Sequence, residues 1–425
     1  MNSIISNVRH RPSIAVLTSL RGIAAALIVV HHMGLLMLPL RSTVIGNALE
    51  KCGILGMSTF FVLSGFVIHY NYADRLSSQR ERGALAFLFA RFARLYPLYF
   101  AFIVLSYLWN AQFASHLGNQ SLANIFAVSL PAYLAGMQSW FYAVINGSAN
   151  LSISQEYANN AWSISAEALL YLFFIPLALG ISFKSHSTRR GIALTLVGMI
   201  GRILIIKFAE SPIWHNWIEN GWGAASSLDP ESWLIYYSPY GRFFEFLAGM
   251  GIAEIWLARA HKPISVHEHI VMWILGAVAL LYIFSAFFDG TVFSAPRLFA
   301  GNKIFSGYAL TLPIVIYLLS RTKGRLNALM STAPLLFVGE ISYSLYLLHS
   351  WFYPVFFVSP GTVLANHVPM IVGRCIAFLL LTFATSALVY RFLEVPARKA
   401  VMKFYGNATT VSVAGPKAID NNRNG

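Results

Sequence analysis

Arg21 is followed eleven residues later by His32 inside the first long apolar run of the sequence. At about 100° per residue, eleven steps make three turns plus roughly 20°, so the two side chains share one helix face about 16 Å apart along the axis. Gly22, Ala24, Ala25 and Ala26 lie between them, and residues that small admit a second helix or a thin ligand to that face. A guanidinium there suits an anionic group, and an imidazole further along can accept a proton from a hydroxyl. The competing reading has Arg21 reaching to lipid headgroups and the histidines bonding backbone carbonyls.

A second cationic group follows in Arg91-Phe-Ala-Arg94. Spacing of three puts both guanidiniums on one side of a helix's first turn, where their forked donors can grip phosphate. An arginine pair beside a span also serves simply to mark the side where basic loops collect. Together with Arg21 it describes a mouth suited to a polyphosphate. Glu167, Arg242 and Glu245 also fall in apolar runs, where ionisable groups are expensive. Arg242 and Glu245, three apart, favour an intrahelical ion pair, with a substrate contact as the alternative. His349 reads as a packed, hydrogen-bonded residue, and Phe60-Phe-Val-Leu-Ser-Gly65-Phe66 as a close helix crossing through small residues. His31 and His32 point about 100° apart and cannot share a metal as an i, i+4 pair would. No metal is expected.

The elements that carry these residues follow from composition. The chain has 425 residues, 57% hydrophobic and 11% charged, with a mean hydropathy of +0.62. Soluble domains carry about 25% charged residues, and one water-soluble core could not hide so much apolar surface. The apolar runs are about 20 residues long without period-two alternation, which selects membrane helices over a barrel. Candidate spans lie near 14–38, 52–70, 92–113, 160–182, 190–209, 237–258, 268–288, 302–320, 334–356 and 368–392. A weaker run, 122–140, contains Pro131, Gly136 and Gln138.

Charge settles the order of sides. With the N-terminus inside, ten spans place Arg75, Arg80, Arg82 and Arg91, then Lys184, Arg189 and Arg190, then Arg259 and Lys262, then Arg321, Lys323 and Arg325 on the cytoplasmic side. The loop 210–236 holds Glu210, Glu219, Asp229 and Glu231 and no Lys or Arg, as an outside loop should. An eleventh crossing at 122–140 would reverse every later loop, so that segment is expected to be re-entrant or interfacial. The fold class is therefore an all-α polytopic membrane protein of about ten spans with both termini cytoplasmic. Residues 1–404 form the membrane domain, and 405–425 read as a polar, disordered tail. The basic N-terminus precedes an apolar run too long for a signal-peptide core, so no cleavage is expected. The net charge of +14 reflects sorting of Lys and Arg to the inside, and no nucleic-acid partner is expected. Cys52 and Cys375 are too few for a disulfide framework.

Seven stretches in order resemble the acyltransferase-3 family of membrane O-acyltransferases. These are Arg21-Gly22 with ten residues before His32, Phe61-Val-Leu-Ser-Gly-Phe66, Arg91-x-x-Arg94, Trp162-Ser-x-Ser-x-Glu167 with Tyr171 and Pro176, Arg242-x-x-Glu-Phe-Leu-x-Gly249, Ile341-Ser-Tyr-Ser-Leu-Tyr-Leu-Leu-His349 and Glu394-x-Pro396. The resemblance runs from about Leu20 to Arg398. It implies acyl-coenzyme A, most simply acetyl-coenzyme A, as donor and a carbohydrate or glycolipid hydroxyl as acceptor, in a bacterial inner membrane. On that pattern Arg21, Arg91 and Arg94 would hold the donor's phosphates, with the pantetheine arm along the alanine-rich face. His32 would be general base, and Glu167 would orient it or touch the acceptor. Many relatives have a second acid after Glu167 where this chain has Ala168. Others carry a fused extracytoplasmic hydrolase-like domain; the expectation here is a stand-alone form acting on acceptors reachable at the membrane. A secondary transporter or exporter of a glycan or lipid-linked intermediate is the alternative, weakened by the lack of an internal repeat. A non-catalytic scaffold in polysaccharide synthesis is the third.

Overall fold

The computed structural model describes residues 11, 14–36, 44–143, 153–155, 158–221, 230–287, 303–357 and 368–413. Among them there is no β-strand, and the helices follow the apolar runs. Helix α1 spans Ala15–Leu36. Helix α2, Val44–His116, covers two of the expected spans and breaks at Arg80, where φ is 41°. The chain reverses there: Phe87 on the second arm packs edge-on to Tyr72 on the first at 5.1 Å. The sequence reading expected a loop over 71–91. The arms instead stay helical through it, because Arg, Gln and Leu are good helix formers and one residue absorbs the turn.

Helix α3, Gln120–Leu134, has 15 residues and rises about 22 Å, short of the roughly 30 Å hydrocarbon layer. Asn119 caps it through Leu122 N–H. The chain then turns at Gly136, whose φ is +66°, and docks on the start of the next helix, where Ser139 Oγ–H donates to Ser165 Oγ at 2.9 Å. Helices α4 (Trp162–Ile181) and α5 (Thr188–Ala209) follow. Short α6 (Pro212–Gly221) and α7 (Pro230–Ser232) lead through a π-helical turn, Trp233–Tyr237, into α8, Pro239–Arg259. Helices α9 (Val266–Phe287) and α10 (Lys303–Arg321) come next, then α11 (Arg325–Met330).

The run 334–356 is two helices, α12 (Ala333–Glu340) and α13 (Ser342–Phe357), broken at Ile341. Helix α14, Val368–Val389, passes through a π-helical turn, Tyr390–Glu394, into α15, Val395–Val413. Pro396 lies just beyond that turn, which accommodates the hydrogen bond a proline cannot donate. The helix thus continues through 405–413, the start of the stretch read as a tail; 414–425 lie outside the described residues.

Among the described residues, six helical stretches are long and apolar enough to cross a membrane, and one of them is the 64-residue Lys51–Ala114, which contains the Arg80 reversal. Leu204, Leu281 and Leu380 on α5, α9 and α14 are each more than 60% exposed, an outward apolar surface that lipid satisfies and water does not. The chain is a multi-pass membrane protein. Its centre is the crossing of α2 and α8. A Cβ on Gly65 would sit 1.9 Å from Phe246 O, and one on Gly249 would sit 2.0 Å from Val62 O. Only paired glycines allow these backbones to touch, as the small-residue pattern around Gly65 anticipates.

Candidate functional site

A cavity of about 280 Å³ opens between α1, both arms of α2, α4 and α13. Its charged lining residues are Arg11, Arg21, Arg91, Arg94 and Glu167. Three arginines and the carboxylate singled out from spacing, drawn from three helices, thus meet in one space. Phe60, Phe61, Tyr343 and Tyr346 form its apolar wall.

Arg21, Arg91 and Glu167 are held by neutral partners. Arg21 Nε donates to Ser342 Oγ at 2.9 Å, and its Nη2 donates to the Gly339 carbonyl at 2.6 Å. Both acceptors belong to the α12–α13 break, where a carbonyl lies open to a side-chain donor. Arg91 donates to the Tyr72 hydroxyl at 2.9 Å and lies over that ring at 5.0 Å. Glu167 Oε1 accepts from Ser64 Oγ–H at 2.7 Å and from the Tyr171 hydroxyl one turn away. Among the described residues, no carboxylate forms a salt bridge with Arg21, Arg91 or Arg94. Four guanidiniums facing one carboxylate make a space suited to an anion of several charges.

The small residues of α1 do not leave a channel for a ligand. Ala24 and Ala25 are fully buried, and a Cβ on Gly22 would meet Gly339 N at 2.6 Å. Beside Gly22 the neighbour is α12, beside Ala24 it is Gly56 of α2, and beside Ala25 it is Leu345 and Phe378 of α13 and α14. The face shared by Arg21 and His32 is real nevertheless, because both turn toward the segment Gly339–His349.

His32 is not among the residues lining the cavity. Its Nδ1 lies 3.0 Å from Ile28 O and 3.2 Å from His349 Nε2, with ring centroids 4.9 Å apart. His349 is fully buried, and its Nδ1 lies 3.3 Å from Leu345 O. His31 lies edge-on to His32 with ring centroids 4.8 Å apart, and its Nδ1 lies 3.2 Å from Leu49 O. The link between cavity and imidazole is α13, where Ser342 and Tyr346 line the cavity and His349 follows one turn on. Tyr346 is fixed by donating to Asn160 O and accepting from Ser163, both at 2.7 Å. Glu167, offered from the sequence as a partner for His32, is engaged with Ser64 and Tyr171, while His349 stands beside the imidazole. Spacing could not reveal that partner, which lies 317 residues away.

Arg242 and Glu245 form the intrahelical pair their spacing suggests, at 2.8 Å. Ser58 donates to Glu245 at 2.9 Å, and Arg202, unanticipated, approaches it at 3.6 Å. All three charged residues are fully buried, and none lines the cavity.

A further polar cluster joins α2, the turn after α4, α5 and α8. Glu254 Oε2 lies 2.8 Å from His69 Nε2 and 2.8 Å from His186 Nδ1, while its Oε1 accepts from Arg190 and from Ser187 N–H. Three ligand-type atoms thus fall within 4.8 Å of one another. A metal-bound imidazole donates its other N–H to an acceptor. Here His186 Nε2 faces the Arg11 guanidinium at 3.3 Å, itself a donor, and buried His69 Nδ1 has no hydrogen-bond partner. With Arg190 and Ser187 on the same carboxylate, the group forms a hydrogen-bonded clamp. The clamp also holds Arg11, which pairs with Asp74 at 3.0 Å and so reaches the cavity from the basic N-terminal stretch.

Residues 14–408 match the family model described as "Acyltransferase domain". Peptidoglycan O-acetyltransferase OatA of Listeria monocytogenes is 25% identical over 399 residues, covering 92% of this chain and 56% of that protein. O-acetyltransferase OatA of Staphylococcus aureus is 26% identical over 368 residues, 83% of this chain and 54% of that protein. The putative peptidoglycan O-acetyltransferase YrhL of Bacillus subtilis is 24% identical over 353 residues, 81% and 50%. The chain spans about half the length of these curated relatives. No solved structure matches. With the arginine motifs, the Glu167 motif and the α13 motif gathered around one cavity, and the family model running across nearly the whole sequence, the chain belongs to the acyltransferase-3 family.

Proposed function

We propose that the protein is an O-acyltransferase that moves an acyl group, acetyl in the simplest case, from acyl-coenzyme A to a carbohydrate hydroxyl. The observation that carries this reading is the convergence of Arg11, Arg21, Arg91 and Arg94 on one cavity beside an apolar aromatic wall. The cations would take the donor's phosphates, and the wall the pantetheine and acyl groups. The names of the relatives favour peptidoglycan or its membrane-linked precursors as the acceptor class.

In the reaction, the acceptor oxygen attacks the thioester carbonyl carbon and forms the new C–O bond. Its proton passes to His32. The C–S bond breaks, and coenzyme A leaves as a thiolate that takes the proton back as free thiol. The thioester must pass Tyr346 to reach His32. We place the arginine end in the cytoplasm, with ten spans and both termini inside a bacterial inner membrane. The basic loops and the acidic 210–236 loop support this order. An alkaline phosphatase fusion between 210 and 236 should be active, and an inactive one would reverse the topology.

The central test uses purified protein in nanodiscs with carbon-14 acetyl-coenzyme A, peptidoglycan oligosaccharides and a membrane glycolipid extract. Label should move to a saccharide with the wild type and not with His32→Ala. Transfer that persists in His32→Ala removes the imidazole from the chemistry. Absence of both transfer and donor binding, with glycan flux into proteoliposomes, would establish the transport alternative.

A further inference from the structure

We propose that His349 is a positioning residue that fixes the tautomer and ring orientation of His32. This rests on the reading of His32 as the general base. The argument is one of donors and acceptors. A neutral imidazole carries one N–H and one lone pair. His349 Nδ1 lies 3.3 Å from the Leu345 carbonyl, the oxygen of the preceding turn. A carbonyl can only accept, so the proton of His349 sits on Nδ1 and its Nε2 presents a lone pair. That lone pair lies 3.2 Å from His32 Nδ1. The same His32 nitrogen lies 3.0 Å from the Ile28 carbonyl, a second acceptor. Two acceptors on one nitrogen require a donor, so the proton of His32 sits on Nδ1 and is shared between them. The lone pair of His32 is thereby assigned to Nε2, the nitrogen that must take the acceptor's proton.

The two contacts do different work. Ile28 O belongs to the same helix and sets the tautomer of His32 with little hold on the ring's direction. His349 comes from α13 and fixes the ring against a second element, at 4.9 Å between centroids and 48° between planes. Helix α13 is itself pinned, because Asn160 Nδ2 donates to the carbonyls of Tyr346 and Leu347 at 2.7 and 3.0 Å. The orientation of His32 is therefore referred to the start of α4 through α13. The His349 contact resembles that of a base whose other nitrogen is held by a fixed partner, where loss of the partner leaves the base in the wrong tautomer or pose. It also gives a function to a buried histidine that would otherwise be an unneeded polar group inside a membrane helix.

The test compares His349→Leu, His349→Gln and His32→Ala with wild type in nanodiscs. Acetyl transfer from carbon-14 acetyl-coenzyme A to peptidoglycan oligosaccharides is followed, and donor binding is measured separately. His349→Leu keeps the volume and removes the acceptor. It should lower kcat by at least about tenfold while KM for acetyl-coenzyme A stays within about twofold. His349→Gln offers an amide oxygen at comparable reach and should recover most of the lost kcat. Wild-type kcat in His349→Leu would overturn the proposal. Equal losses in the Leu and Gln variants, accompanied by weaker donor binding, would also overturn it in favour of a packing role. His32→Ala separates the two readings: turnover that survives there removes the base and its positioning partner together. A dead His32→Ala beside a fully active His349→Leu removes the positioning role alone.

Discussion

Arg242 and Arg21 occupy the same kind of helix in the same bundle, yet they are neutralised differently. Arg242 is buried with the Glu245 carboxylate 2.8 Å away, and Arg202 and Ser58 close the remaining sides of that carboxylate. Arg21 is held by a serine hydroxyl and a backbone carbonyl, and Arg91 by a tyrosine hydroxyl. Neutral oxygens orient a guanidinium without cancelling its charge. In the first arrangement each guanidinium has a carboxylate oxygen within 3.6 Å. The second leaves positive potential directed into a cavity, which is what an anionic ligand needs. A charge in a membrane helix is therefore read best by what its partners leave uncancelled, and burial alone does not separate the two cases.

Three substitutions would break or sharpen that contrast. Glu245→Ala should be the most damaging, because it strands Arg242 without a counter-charge in a dry interior. A stability loss of about 3–5 kcal/mol is expected, read as a lower unfolding midpoint and poor recovery from detergent. Normal stability would mean that water or lipid phosphate reaches Arg242, and the group would then resemble the cavity. Arg94→Ala should leave the unfolding midpoint nearly unchanged and raise KM for acetyl-coenzyme A by about 10- to 100-fold, the worth of one charged hydrogen bond. An unfolding defect without a KM effect would place Arg94 with the structural arginines. Arg94→Lys keeps the charge and loses the fork, so its KM should rise by only about three- to tenfold. A lysine as good as arginine would show that charge alone is being used.

The sequence carried the helices because each apolar run reports its own burial. It also carried the Arg242–Glu245 pair, which lies within one turn, and the Gly65 crossing, whose small residues show locally although the partner helix does not. What it did not carry depends on neighbours distant in the chain. Arg202 approaches Glu245 from another helix, and His349 meets His32 across 317 residues. Arg11 reaches the cavity held by Tyr70, Asp74 and His186. The helical hairpin at Arg80 was hidden for a different reason: its polar residues resemble a loop by hydropathy while retaining helix propensity. The alanine-rich face of α1 was visible as a place of close approach, but not that α12, α2, α13 and α14 would share it.

The contact of Gly65 and Gly249 with the opposing backbones has a mechanical consequence. With no side-chain layer between α2 and α8, neither helix can roll or slide without driving a carbonyl into a neighbouring chain. The pair acts as an anvil. Any movement that carries a bound group from the arginine cavity past Tyr346 toward His32 must therefore be taken up elsewhere. The other wall is held by softer means: at the α12–α13 junction Arg21 joins the helices through a hydroxyl and one carbonyl, not through interlocked backbones.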